Sequence, residues 1–447
     1  MVLSQQKSHL GYVSTGLVAL LMASQAWGAG FQIQEQNVTN MGTAYSGTAA
    51  LAADASTAYY NPAGITRLKH QQLVVAGALI NADSDVNPTF AQNNAGLVLA
   101  SRGEENGDKL SSVPSLHYTS PVTDSIYLGL SVTSPFGLST KYSENSLLRY
   151  AATRSELKTI DISPSVAYRF NQNFSFAVGA DAMWAKAHLD AQLSNPAPAP
   201  AVTLSDGFQR NTAEDWGFGY HASMLYELSE RTRFGLNYRS HVNINAKGES
   251  EQMNPLAVPG GAMARTTYPV NTQVTLPATV YVSAYHAFNE KFAVMADVNW
   301  TDWSRFRTLR LRYDAPIAAG IGRSPSDTAE HWEDAVRVAF GMEYTPCDKY
   351  KLRFGLAWDE SPVKSEFRTA RIPDSDRIWM GFGLGFALSK NMWVDLGYAH
   401  LFFNGADLDD RGPFNAQTQA RLTAARLKGK VKTNVDLAGL QFRWTFN

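Results

Sequence analysis

The most regular feature of this chain is an alternation of large apolar residues with small or polar ones. Between residues 378 and 388 every second residue is large and apolar, and the positions between them, after Trp379, hold only glycine or alanine. A period of two places successive side chains on opposite faces of a β-strand. One face is too apolar for water and the other is too small for an ordinary core, which predicts the wall of a transmembrane β-barrel.

The same alternation recurs over residues 336–342 and 350–358, where glycine, alanine, arginine and lysine separate the large apolar residues. In a soluble antiparallel sheet the second face would meet water and would carry mainly polar and charged residues. Glycine and alanine there indicate instead an inward face that packs against something inside the barrel.

Short polar breaks between alternating segments allow the strands to be counted. Six such breaks predict six hairpins and therefore twelve strands, and one strand before them (71–81) and one after them (431–446) bring the total to fourteen. The result is an all-β fold, a 14-stranded antiparallel transmembrane β-barrel with the even strand number of bacterial barrels. Longer polar segments, such as 192–215 and 404–430, predict long outer loops and short periplasmic turns. The breaks lie at residues 121–125, 171–173, 229–232, 289–291, 346–349 and 389–391.

The N-terminal residues predict export from the cytoplasm. Residues 16–23 form a short apolar core and residues 26–28 end in small side chains, so we interpret residues 1–28 as a cleaved signal peptide. No later run reaches the roughly 18 apolar residues that a transmembrane helix needs. The formal net charge of −1 gives no basic footprint for nucleic acid. A barrel with an export signal is expected in a Gram-negative outer membrane.

Residues 29–70 precede the first strand and lack sustained alternation. They are rich in alanine, glycine, threonine and serine, and a segment of this size would fill the lumen of a fourteen-stranded barrel. A disordered periplasmic tail is the alternative, but apolar anchors such as Tyr45, Tyr60 and Ile65 argue against it. We therefore predict an N-terminal plug, or hatch, at 29–70 and the barrel at 71–447.

Seven short motifs occur along nearly the whole mature chain. They are AGFQ at 29–32, AYSG at 44–47, NPAGIT at 61–66, SPFGL at 134–138, WTDWS at 300–304, ESPV at 360–363 and IPDSDR at 372–377. Taken together and in this order, they make the chain resemble the FadL-type long-chain fatty acid transporters of the Gram-negative outer membrane.

The resemblance implies a barrel whose hatch lets amphipathic substrate enter from outside and leave sideways through the wall. Asn61, Pro62 and Ala63 match the family's hatch motif, which lies near the wall opening. Proline fixes φ and asparagine tolerates turn geometry, so this tripeptide would form a rigid corner. A simple tight turn is the alternative role.

The opening itself is expected at Ser134, Pro135, Phe136 and Gly137. Proline removes one ladder hydrogen bond and glycine permits an irregular backbone, so strand pairing should break there. By the family resemblance Ser111 lies on the neighbouring strand, across from Ser134, and both side chains are small enough to leave a portal. Pro135 and Gly137 could instead only end the strand.

A basic group is expected to bind the substrate carboxylate in an apolar pocket under the outer loops. The better-known family members have an arginine just beyond the stretch that corresponds to residues 185–191, but this chain has none there. Lys186 and His188 are the candidates to replace it. Each could also be an ordinary residue at the end of a strand.

Three functions remain open on the sequence. The first is passive import of long-chain fatty acids, which gain about 0.8 kcal/mol per methylene on leaving water and need no nucleotide. The second is uptake of other hydrophobic molecules, such as monoaromatic hydrocarbons, and the third is an outer-membrane adhesin or enzyme. No enzymatic motif, cofactor or metal site is indicated. We expect a monomer whose partners are the hydrophobic substrate, outer-membrane lipid and lipopolysaccharide.

Overall fold

A computed structural model describes residues 29–99, 105–106, 109–194, 206–254, 264–314, 326–414 and 421–446. The expected signal peptide, residues 1–28, lies outside these ranges. Almost all regular structure is antiparallel strand, preceded by a few short helical turns.

None of the helices in the described part of the chain is long and apolar enough to cross a membrane.

The elements follow one another along the chain with two short α-helices first. These are α1 (Thr48–Leu51) and α2 (Thr57–Tyr60), with 3-10 turns at Met41–Thr43, Pro62–Arg67 and Trp303–Arg305. The strand segments are β1 (Gln72–Gln92), β2 (Glu105–Asn106), β3 (Lys109–Pro121), β4 (Ile126–Thr133), β5 (Gly137–Lys141), β6 (Arg154–Arg169), β7 (Phe174–Leu193), β8 (Gly207–Glu227), β9 (Thr232–Arg239), β10 (Val242–Asn254), β11 (Ala264–Leu276), β12 (Thr279–Ala287), β13 (Phe292–Thr301), β14 (Thr308–Tyr313), β15 (Ser326–Ala329), β16 (Ala335–Cys347), β17 (Tyr350–Asp359), β18 (Arg377–Ala387), β19 (Met392–Phe403), β20 (Ala406–Asp410) and β21 (Arg426–Thr445).

These segments form a closed barrel of fourteen wall strands, as predicted. Seven wall strands consist of two successive segments each, namely β2–β3, β4–β5, β9–β10, β11–β12, β13–β14, β15–β16 and β19–β20. The first and last strands close the barrel, because β1 pairs with β21 from Gln72 opposite Thr445 to Gln92 opposite Arg426. Closure leaves no free sheet edge at the seam between the chain's two ends.

All six predicted hairpins are present, whereas the first strand is longer than predicted. It runs to residue 92 rather than 81, because its pairing with β21 continues beyond the apolar alternation. Outside the bilayer both faces of a strand can be polar, so the periodic signal fades while the backbone ladder persists. The turns span residues 122–125, 170–173, 228–231, 288–291, 348–349 and 388–391.

The two faces of the wall differ in the way the alternation predicts. On the outward face Phe340 is 65% exposed and Ile378 is 52% exposed, although both are large and apolar. Their neighbours Ala339 and Trp379 point inward and are fully buried. The outward band would contact lipid, and the inward face contacts protein.

Residues 29–68 supply that inward contact. Every one of them is buried except Ala52, Ala53 and Arg67, which are half-buried. Their helical turns pack on the inward faces of β4, β6–β9, β12, β13 and β16–β19, and so touch the wall around most of its circumference.

Inward glycines allow the backbone of this segment to lie directly against the wall. A Cβ atom added to Gly355 would lie 2.1 Å from the carbonyl carbon and oxygen of Thr43, and one added to Gly381 would lie 2.4 Å from the carbonyl oxygen of Met41. Real Cβ atoms do not approach backbone so closely, so the wall must carry glycine at these positions.

Gly355→Ala therefore tests the packing between segment and wall. Overpacking against backbone should cost about 1–3 kcal/mol of stability, so the variant should unfold at a lower temperature. The measurement is the midpoint temperature of heat-dependent unfolding, which is monitored through the mobility shift of the barrel on semi-native gels. Gly77→Ala is the matched control, since a Cβ added to Gly77 would meet nothing within 4 Å. Equal midpoints for the two variants would contradict the proposed close packing.

Candidate transport site

The wall contains a break in its strand pairing between β3 and the strand made of β4 and β5. The β3–β4 ladder extends from Pro121 opposite Tyr127 to Leu116 opposite Val132 and stops there. After the interruption at 134–136, β5 pairs with β6. Among the described residues no ladder joins the outer end of β3 to β5. We call residues 134–137 the wall gap.

The N-terminal segment provides hydrogen-bond partners for the backbone of the wall gap. The Ile33 amide donates to the Pro135 carbonyl at 2.8 Å, and the Gly137 amide donates to the Phe31 carbonyl, also at 2.8 Å. Residues 31–33 thus form a short antiparallel bridge to the gap from inside the barrel. A buried strand end would otherwise leave these polar groups unpaired at a considerable cost.

Gln36 completes this pairing with its side chain. The Ser134 amide donates to Gln36 Oε1 at 2.9 Å, and Gln36 Nε2 donates to the Ser134 carbonyl at 2.8 Å. The Gln36 carbonyl lies 2.8 Å from Nε2 of His117, whose Nδ1 lies 2.9 Å from Ser131 Oγ. One fully buried glutamine therefore occupies the place of a neighbouring strand.

Ser111 does not lie opposite Ser134, and this expectation is corrected. Ser111 is on β3, where it pairs with Ile80 of β1. If the β3–β4 register continued past its last pair, Pro114 would be level with Ser134. A relative's alignment does not fix a register across a ladder that stops. Ser111 is nevertheless buried on the β3 side of the break.

The height of the wall gap follows from the register of its other neighbour, β6. Thr133 pairs with Asp161 and Gly137 pairs with Lys158, so the gap is level with Ile160. Ile160 in turn pairs with Trp184 on β7. Outward tryptophans in barrels mark the membrane–water interface. The gap is therefore level with an outward tryptophan of the wall.

The predicted hatch motif contacts the wall at β8. Asn61 Nδ2 donates to the Met224 carbonyl at 3.0 Å, and Asn61 Oδ1 accepts from the Ala63 amide at 3.0 Å. The same amide lies 3.0 Å from Ser223 Oγ. Pro62 begins the 3-10 turn Pro62–Arg67, where its missing amide is not needed.

A tyrosine links the hatch motif to the wall gap. Tyr60, immediately before the motif, donates from its hydroxyl to the Gln34 carbonyl at 2.6 Å and accepts from the Gln36 amide at 3.2 Å. Gln36 is the residue that pairs with Ser134. The motif is thus connected to the gap through Tyr60 and Gln36 rather than by direct contact.

Lys186 and His188 do not face the interior, and the expectation that they bind a carboxylate is corrected. Lys186 Nζ lies 2.8 Å from Glu214 Oε2, and His188 Nδ1 lies 2.9 Å from Thr212 Oγ1. Both residues share the outward face of β7 with Trp184, whereas Leu189 on the other face lines an internal pocket. The alternation of the strand therefore directs them away from the interior.

The internal pocket lies under the outer loops and has a volume of about 330 Å³. This volume is within the range of small-molecule sites. Apolar side chains form much of its wall, and Arg371 and Asp410 are its charged residues. The apolar lining comes from Leu189, Ala191, Leu193, Leu309, Leu311 and Leu422, with Tyr150 and Tyr313 as aromatic members.

Arg371 is the basic group that sequence reasoning missed. Its Nη1 donates to the carbonyls of Arg154 and Asp190 at 3.2 and 3.3 Å and to Ser155 Oγ at 3.0 Å. Among the described residues, no hydrogen bond uses its Nε or Nη2. Burial lowers the pKa of the Arg371 guanidinium, which remains charged because an arginine pKa starts so high.

Asp410 does not cancel this positive charge by a direct ion pair among the described residues. Its carboxylate accepts from the Ala370 amide at 2.9 Å and from the Gly412 amide at 3.0 Å. Those backbone donors stabilise its negative charge locally. The guanidinium of Arg371 therefore retains donors for a ligand carboxylate.

An aromatic cluster lies between the pocket and the wall gap. The ring of Phe31 is 4.6 Å from Trp303, 5.5 Å from Phe306 and 5.4 Å from Trp332, measured between centroids. It also lies 6.3 Å from Phe136 in the gap. At the other side, the pocket residue Leu309 packs against the same cluster. Packed apolar side chains thus connect the two sites, with Phe31 at their centre, and we call this series of side chains the apolar path.

Gln36→Leu tests the pairing at the wall gap. The substitution removes the hydrogen-bond partners of both the amide and the carbonyl of Ser134. Leaving a buried backbone group unpaired costs about 1–3 kcal/mol. Hydrogen exchange at the Ser134 amide should accelerate at least tenfold, as measured by mass spectrometry. Gln441→Leu is the control, because Gln441 Oε1 accepts from the Val38 amide of the same segment at 2.9 Å but is remote from the gap. Unchanged exchange at Ser134 in Gln36→Leu would refute this pairing.

Comparison with known proteins agrees with this architecture. Residues 19–446 match the family described as outer membrane protein transport protein (OMPP1/FadL/TodX). The chain is 31% identical over 422 residues to a long-chain fatty acid transport protein of Escherichia coli O6:H1, covering 89% of this chain and 92% of that protein.

Two solved structures share the fold. A Pseudomonas aeruginosa FadL homologue superposes with a TM-score of 0.83 at 21% identity, over 94% of this chain and all (100%) of the homologue. The P. putida toluene transporter TodX gives a TM-score of 0.67 at 15% identity, over 95% and 99% of the two chains. The family consists of transport channels rather than enzymes. The chain therefore belongs to the OMPP1/FadL/TodX family of outer-membrane transport proteins.

Proposed function

We propose that this protein takes up long-chain fatty acids passively, binding them under the outer loops and releasing them sideways through the wall gap. Residues 1–28 would direct export and residues 29–70 would act as the hatch. The observation that carries the proposal is Arg371, a half-buried guanidinium with unused donors in a pocket that is lined by apolar and polar side chains in similar measure. An apolar path leads from this pocket to the wall gap.

Capture would combine one polar contact with burial of the acyl chain. A carboxylate accepts hydrogen bonds well from a guanidinium fork, and such charged bonds are roughly twice as strong as neutral ones. The leucines of the pocket would cover the first methylenes, each worth about 0.8 kcal/mol when removed from water. A ligand without an anionic group would leave Arg371 unpaired and would bind less well.

Passage toward the wall gap would require movement of the N-terminal segment. Phe31 occupies the apolar path, and its carbonyl accepts from Gly137 in the gap. An acyl chain that displaces the Phe31 ring would remove its contacts with Trp303 and Trp332 and would weaken the adjacent backbone bridge. The hatch and the gap would therefore open together.

Release into the outer leaflet is favoured by the height of the wall gap. A fatty acid leaving at the level of Trp184 would place its carboxyl group near the interface and its chain in the bilayer. Delivery into lipid is downhill for an acyl chain, whereas a route through a polar lumen to the periplasm would expose it to water again. No energy source is needed.

The relatives support the substrate class without deciding it. The E. coli relative is named a long-chain fatty acid transport protein, and TodX is described as a toluene transporter. A neutral hydrocarbon has no charged acceptor that could form a hydrogen bond with a guanidinium group. Arg371 therefore favours a carboxylate substrate over a monoaromatic one for this chain.

Arg371→Gln tests the proposal in a strain that lacks its own outer-membrane fatty acid transporter. Loss of the charged hydrogen bond should raise the concentration for half-maximal uptake of labelled oleate about tenfold. Uptake of labelled toluene, which makes no such bond, should be unchanged. Arg371→Lys should retain part of the oleate affinity because it keeps the charge.

Lys186→Gln is the matched control and should leave oleate uptake unaltered, since Lys186 points outward. Surface amounts of each variant are checked by outer-membrane fractionation and heat-dependent gel mobility. Wild-type oleate uptake by a well-expressed Arg371→Gln variant would rule out this carboxylate site. Toluene uptake without oleate uptake by the parent protein would instead assign the chain to hydrocarbons.

A further inference from the structure

A row of charged and polar side chains crosses several adjacent strands on the outward face of the wall, next to two outward tryptophans. The strand register places six outward residues side by side, from β6 to β14. In order they are Lys158, Lys186, Glu214, Lys247, Asn271 and Arg312. The paired Trp184 and Trp216 lie two residues closer to the membrane, which is about 7 Å along a strand. The row is therefore at the height of lipid headgroups.

The two ends of this row differ in how their charges are compensated. Lys158 Nζ lies 2.6 Å from Glu156 Oε1, and Lys186 is paired with Glu214. At the other end, the ion pairs among the described residues include neither Lys247 nor Arg312. The two lysines of the row on β6 and β7 are thus ion-paired, whereas Lys247 and Arg312 have no ion-pair partner among the described residues.

The β10–β14 end of the row is a groove of about 740 Å³ on the outside of the barrel. Lys247, Arg307 and Arg312 line it and form no ion pair with a described carboxylate. Two further arginines at the groove are already paired, Arg305 with Asp302 and Arg310 with Asp327. One exposed carboxylate, that of Asp314, also reaches the groove. We call this site the basic groove.

Amide side chains complete the lining of the basic groove. Asn245, Asn271 and Gln273 occupy outward positions of β10 and β11. These positions would be apolar if they faced acyl chains, as the outward Phe218 of β8 does with 74% of its surface exposed. Amides donate to and accept from sugar hydroxyls, and guanidinium groups bind phosphate with two parallel hydrogen bonds.

We propose that the basic groove binds the phosphorylated sugar headgroup of a lipid A molecule in the outer leaflet. Arg307, Arg312 and Lys247 bind a phosphate, and the amides contact the glucosamine ring beside it. The acyl chains then lie along the apolar wall below the tryptophans. This site faces lipid rather than the barrel interior, so it is separate from the transport path.

The test compares lipid A binding by the whole detergent-purified protein and by Lys247→Gln/Arg307→Gln/Arg312→Gln. Affinity is measured by native mass spectrometry in buffer with a chelator, so that divalent ions do not bridge phosphates. We expect the triple variant to bind at least tenfold more weakly, because each lost charged contact is worth about a factor of ten. Lys158→Gln, whose lysine is already ion-paired, should bind like the parent protein.

Two measurements on the parent protein keep the test decisive if the triple variant does not fold. Lipid A without its phosphates should bind at least about tenfold more weakly than intact lipid A, and added salt should weaken the binding of intact lipid A. Equal binding of the two lipids, or an equal loss in Lys158→Gln, would overturn the proposal. Inorganic phosphate that binds as tightly as lipid A would also overturn it, by assigning the groove to a free anion.

Discussion

Every backbone polar group inside a membrane must find a hydrogen-bond partner within the protein, and this requirement governs the wall gap. A barrel meets it by pairing each strand with two neighbours, but β5 lacks one neighbour at the outer end of β3. The N-terminal segment meets the requirement instead, through the backbone of Phe31 and Ile33 and the side chain of Gln36. The wall can be interrupted only because a second layer of chain lies behind it.

That second layer depends in turn on the small residues of the inward face. Gly355 and Gly381 allow the backbone near Met41 and Thr43 to contact the wall, and buried polar contacts such as Thr48 with Asp297 hold the segment further round the barrel. The N-terminal segment, the wall and the gap are therefore one packed unit. In the proposed route a ligand that displaced Phe31 would act on the gap directly, whereas a movement of the motif at Asn61 would reach the gap through Tyr60 and Gln36.

Period-two alternation predicted the barrel, its strand number and the outward apolar band, because each of these depends on local side-chain direction. It did not predict the end of β1, where pairing with β21 persists without an apolar face. The candidate site was less accessible to prediction. Lys186 and His188 were selected by position along β7 without counting their phase relative to Trp184, which shows them to be outward. Arg371 lies in the connection between β17 and β18, and only the folded chain brings it beside Ser155. Its place just before the IPDSDR motif was the available signal.

In the proposed route, an acyl chain travels from the Arg371 pocket to the wall gap and leaves there. The most direct measurement uses the whole protein in outer-membrane vesicles with an oleate analogue that carries a photoreactive group at its methyl end. After illumination, adducts are mapped by peptide mass spectrometry. We predict adducts on Phe31 and at 134–137, both competed by unlabelled oleate. Competed adducts confined to the periplasmic turns and inward residues near them would contradict lateral release and would indicate passage through the lumen.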